Sequence, residues 1–152
     1  MKNSIILFTI AGLFAACTPS KESQLAEITD FEQSEKTGTP EGLAELALLH
    51  KNYGMAYNDA EGNNYLYSAG QYYFYESKMD DAKLVLTEYI TRDDSTERFR
   101  NAAINLAILH SKATEFDKAD ELISEVLDTD MPTSAQWQDI IKIYEGKVKL
   151  GK

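Results

Sequence analysis

The sequence predicts an all-α fold: a short α-solenoid of about six antiparallel helices, preceded by an apolar N-terminal segment and a polar spacer. Three observations carry this. The 152 residues include only 8 Gly and 3 Pro, too little turn material for a many-stranded sandwich. Leu66, Ala69, Gly70 and Tyr73 stand at 0, +3, +4 and +7, the spacing of one helix face. That spacing returns 37 residues later at Ala103, Leu106, Ala107 and His110, and again at Trp137, Ile140, Ile141 and Tyr144. The length suits one domain.

Residues 1–16 read as a signal peptide. Lys2 precedes a ten-residue apolar run, Ile5 to Phe14, which is too short to span a bilayer comfortably. Small residues follow, and then the only cysteine of the chain, Cys17. Phe14-Ala15-Ala16-Cys17 resembles the bacterial lipobox, with Phe where Leu is usual. The resemblance implies that Cys17 becomes the lipidated first residue of the mature protein. Each buried acyl CH₂ contributes about 0.8 kcal/mol, so two or three chains anchor stably. The absence of Asp at position 18 points to the outer membrane. Residues 17–40 then read as the lipidated Cys and a flexible tether, polar and with Pro at both ends of Thr18–Pro40. Leu25, Ile28 and Phe31 have the spacing of a short docking helix within it.

Residues 41–152 carry the repeats. Ala82, Leu86 and Tyr89 follow the first quartet; Ala119, Ile123 and Val126 follow the second. Small residues at Gly70, Ala107, Ala82 and Ala119 allow paired helices to approach closely. The pattern resembles the tetratricopeptide repeat, a helix-turn-helix of about 34 residues. Leu43–Tyr57 reads as a lone second-type helix, with Ala44 and Leu48 placed as Ala82 and Leu86 are. Asp94 with Glu97, and Thr133 with Gln136, have capping-box spacing. Trp137, Ile140, Ile141, Tyr144 and Val148 read as the apolar stripe of a closing helix. With its lipobox and spacer, the chain looks like the tetratricopeptide lipoproteins common in Bacteroidota.

Chemistry leaves no mark. The 25 acidic and 15 basic residues give a net charge of −10, the wrong sign for a nucleic-acid binder. His50 and His110 lack a two-His zinc spacing, and no phosphate loop or nucleophile elbow occurs. No catalytic residue, metal or cofactor is expected. The unusual feature is aromatic: eight of nine tyrosines lie between Tyr53 and Tyr89. On the family's geometry the concave-facing residues are Asn64, Tyr67, Gln71, Phe74 and Tyr75, then Asn101, Ile104, Ile108, Ser111 and Lys112. Asn105 alone fits the clamp that some relatives use for a terminal carboxylate. The resemblance therefore implies a non-enzymatic, membrane-anchored scaffold that grips an envelope protein segment. A small-ligand or glycan binder using the Tyr-rich helix is the alternative.

Overall fold

The computed structural model describes residues 19–92, 97–129 and 132–150. Seven α-helices occur among them: α1 (Lys21–Glu32), α2 (Pro40–Ala56), α3 (Ala60–Tyr75), α4 (Met79–Ile90), α5 (Glu97–Lys112), α6 (Phe116–Thr129) and α7 (Ser134–Lys149). No strand occurs among the described residues. Helices α1 to α6 pack each on the next, while α3 also meets α5 and α5 meets α7. This is an all-α stack of tetratricopeptide-like hairpins. Cys17, Asp94 and the side chain of Val148 lie outside the described residues.

Both full hairpins are built as the periodicity requires. Leu66, Ala69 and Tyr73 of α3 meet Ala82, Val85, Leu86 and Tyr89 of α4 in the buried core. Ala103, Leu106 and Ala107 of α5 and Ala119, Ile123 and Val126 of α6 continue it. At Gly70 an added Cβ would lie 2.6 Å from Leu86 Cδ2, so glycine sets how closely α3 and α4 approach. The two hairpin turns share one geometry. Ser77 (φ 57°) and Thr114 (φ 62°) both adopt the left-handed conformation. The next N–H in each case, of Lys78 and Glu115, donates at 2.9 Å to the carbonyls of Tyr73 and His110. A side chain with a Cβ costs about 1–2 kcal/mol in that conformation. Its recurrence at matching positions shows that the hairpin requires it.

Helix α1 corrects the expectation of a flexible tether over residues 17–40. Ser20 caps it by accepting from the Ser23 N–H at 3.2 Å, and Ile28 is fully buried. Lys21 reaches Asp59 at 2.6 Å, and His50 meets Glu32 at 3.2 Å. Burial holds the His50 imidazole below its usual pKa against the pull of Glu32. Only the Ile28 part of the Leu25-Ile28-Phe31 pattern becomes core. Seven α-helices therefore lie among the described residues, and α2 pairs with α1 rather than standing alone.

The register of α2 also differs. Leu48 is 49% exposed, and the inward residues are Ala47, His50, Tyr53 and Gly54. Gly54 is the reason. A Cβ added there would lie 2.8 Å from the Leu66 amide nitrogen and 2.9 Å from the Gly62 carbonyl oxygen. The backbones of α2 and α3 touch at this point, which fixes the face that α2 presents. Beside it the buried Tyr53 hydroxyl donates to Glu61 at 2.6 Å, and burial pushes its pKa up to about 12. Arg92, at the end of α4, donates to the carbonyls of Gly54 and Tyr57 and so satisfies the end of α2.

Helix α7 turns differently from the expected cap. Its inner face is Gln136, Ile140 and Ile143, whereas Trp137, Ile141 and Tyr144 are 38%, 52% and 42% exposed. The Thr133–Gln136 capping box forms in both directions, at 2.8 and 3.3 Å. Gln136 Nε2 also donates to Asn101 Oδ1 of α5 at 2.7 Å, and this bond orients α7.

Glu115 ties three helices together. Its carboxylate accepts from Lys83 of α4 at 2.8 Å and from Lys118 of α6 at 3.0 Å, and it meets His110 of α5 at 2.7 Å. The Lys83 bond, followed by those of His110 and Lys118, holds its pKa well below the ordinary 4.5. A carboxyl whose pKa is depressed on folding stabilises fully above its unfolded value and loses that contribution as pH falls. Wild type is thus expected to melt higher than Glu115→Gln at pH 7. The gap should narrow below pH 4.5, as thermal unfolding across a pH series would show. A gap independent of pH would mean that the bonds are not charge-assisted.

Candidate functional site

The residues expected to face a partner belong to α3 and α5, and several already have partners on a neighbouring helix. Asn64 accepts from Arg98, and Asn105 donates to Gln71 at 3.0 Å. Asn101 accepts from Gln136 at 2.7 Å. Asn64–Arg98 and Gln71–Asn105 stand 34 residues apart, three short of the 37-residue recurrence, so each bond of this ladder joins positions offset by about one helical turn between α3 and α5. Gln71 is not fully spent: its Nε2 is buried with no hydrogen-bond partner among the described residues.

Tyr67 is a packing residue as well. Its ring centroid lies 5.2 Å from that of Tyr89, and the Arg98 guanidinium lies 5.6 Å from it. Burial pushes its phenol pKa up, with Asn101 and Arg98 opposing. A purely concave-facing Tyr67, as the family's geometry implies, would carry little of the stability. With this packing, Tyr67→Ala is expected to cost about 1–2 kcal/mol, part of the value for a fully buried aromatic. Urea unfolding would measure it. A cost near zero would return Tyr67 to the exposed contact surface.

Ile104 is buried in the core and is unavailable to a partner, which corrects its place among the expected contacts. It points inward because α5 is covered on several sides, by α3, α4, α6 and α7. Phe74 is half-buried against the core, and its ring stacks edge-on to Tyr75 at 5.6 Å. Tyr75 is 74% exposed. Asn101 and Asn105 are half-buried in the ladder, Ile108 is half-buried, and Lys112 is exposed.

A hollow of about 410 Å³ opens between α5 and α7 where Ile108 and Lys112 lie. Ile143, Gly146 and Leu150 of α7 complete its apolar floor, and Ser111, Thr114, Asp139 and Lys142 stand around it. Lys142 pairs with Asp139 at 2.9 Å, while Lys112 forms no ion pair among the described residues. The α7 half of this hollow escaped the sequence reading, because that reading turned α7 by its apolar stripe. The clue available was Gly146, a small residue opposite Ser111.

A larger opening of about 500 Å³ lies by the start of α3, among Asn63, Asn64, Tyr89, Arg92, Glu97 and Arg98. Its cations are engaged: Arg92 with Glu88, Arg98 with Asn64. Among the described residues no group of three or more His, Cys, Asp or Glu side chains is placed to hold a metal ion. No helix among them is long and apolar enough to cross a membrane. In comparisons with known proteins, the chain matches no family model, no curated protein and no solved structure.

Proposed function

We propose that this protein is a non-enzymatic scaffold, lipid-anchored through Cys17 in a bacterial envelope, that holds a segment of another protein on its α3, α5 and α7 face. The hollow between α5 and α7 is the observation that supports it best. It offers an apolar floor at Ile108, Ile143 and Leu150 beside Lys112, which forms no ion pair among the described residues. In a chain of net charge −10, such a place suits a segment with an apolar side chain next to an acidic one. The exposed Tyr75 adds aromatic surface on α3. The anchor rests on the Phe14-Ala15-Ala16-Cys17 sequence.

Photo-crosslinking probes at positions 75 and 112 test this in intact cells, with mass spectrometry as the readout. One dominant envelope protein at both positions is expected. Diffuse background at both would overturn the reading, as would a soluble glycan that raises the melting temperature by several degrees.

A further inference from the structure

Helix α7 has a second apolar face. Trp137, Ile141 and Tyr144 lie at i, i+4 and i+7 and stay exposed, on a different side from the buried Ile140 and Ile143. The matching residues of α3 and α5 are covered by the helix that follows each, α4 and α6. Among the described residues α7 has no such following helix. What it offers is a strip one helix wide.

Helix α6 comes close to α7: Asp120 accepts from Lys147, which fixes the side of α6 that looks toward α7, and Asp117 and Tyr144 both act on the same lysine. Helical spacing adds Asp117, Leu127 and Asp128 to that side, and all three are exposed. The second oxygen of Asp120 is buried with no hydrogen-bond partner among the described residues. Over Phe116–Thr129 the helix has five acids and one lysine. This side of α6 is an acidic rail near the apolar strip of α7.

We propose that this strip docks a basic amphipathic helix of another protein. The helix lays its apolar face on Trp137, Ile141 and Tyr144 and sets Lys or Arg against Asp117 and Asp128. Charge selects this occupant over a second copy, which would bring its own acidic rail and a further net −10.

Trp137 is the only tryptophan in the chain, so it reports directly on the strip. The probe is a synthetic peptide of about 18 residues, long enough for a helix, with Leu at helical spacing and Lys on its flanks. Added to the full chain, it is expected to move Trp137 emission to shorter wavelength, saturably, and to protect it from acrylamide quenching. The same peptide with Glu for Lys should leave emission unchanged. The double variant Asp117→Lys, Asp128→Lys should weaken binding about tenfold or more, the equivalent of about 1.4 kcal/mol. Ile141→Asp should abolish it. Equal shifts with the Lys and Glu peptides, or no shift with either, overturn the proposal. So does an emission shift that follows protein concentration alone, which would make the occupant a second copy. The peptide comparison needs no variant and stands whether or not the substituted chains fold.

Discussion

Arginine at position 82 is expected to abolish cooperative folding. Ala82 is fully buried in the core where α4 lies against α3, on the helix whose Val85 and Leu86 face Gly70. A guanidinium there would enter the apolar core cluster, and burying a charge unpaired costs several kcal/mol. The whole stability of a domain is about 5–15 kcal/mol. The hairpin also has no room, since Gly70 already marks the limit of approach. Far-UV circular dichroism should show a broad, shallow melt in place of one sharp transition. A sharp melt within a few degrees of wild type would mean that the α3–α4 contact is loose.

Alanine at position 54 is expected to destabilise by about 2–3 kcal/mol, the usual cost of overpacking a tight contact. Helix propensity alone predicts a gain of about 1 kcal/mol for the same change. The two effects have opposite signs, so the experiment decides between them. Packing should win because the atoms in the way are backbone, Leu66 N and Gly62 O, together with the first carbon of the Leu66 side chain. None can swing aside without moving α3. The melting temperature should fall by about 5–10 °C. A rise would show that α2 and α3 can separate without loss.

The hairpins were legible because their code is redundant. Period, small residues and the 37-residue recurrence all place Leu66, Ala82, Leu106 and Ala119 inside. Helix α1 was less so: it buries one large apolar residue, Ile28, among exposed acids, which leaves little periodicity to read. The face of α2 was set by a backbone approach at Gly54, a cause that an apolar pattern does not express. The α7 stripe was legible as a stripe, but its burial depends on a helix to cover it. At the candidate site, the amides of Asn64, Gln71, Asn101 and Asn105 each bond to a side chain of a neighbouring helix. Whether such amides satisfy each other or a ligand is a matter of distance between helices, and only coordinates supply that. Ile104 shows the same limit, since α5 has neighbours on nearly every side.

The docking of α1 alters the mechanics of the chain's N-terminal end. Drawn out straight, residues 19–39 would reach about 70 Å. Wound into α1 and held by Ile28, Lys21 and Gln24, they keep Pro19 beside Tyr57 and the end of α2. A body on a long slack leash samples all orientations, whereas one gripped at its first helix keeps a heading. Any attachment made upstream of Pro19 therefore acts on the stack through α1 as a bracket. Pulling on that attachment loads Ile28 before any other buried contact.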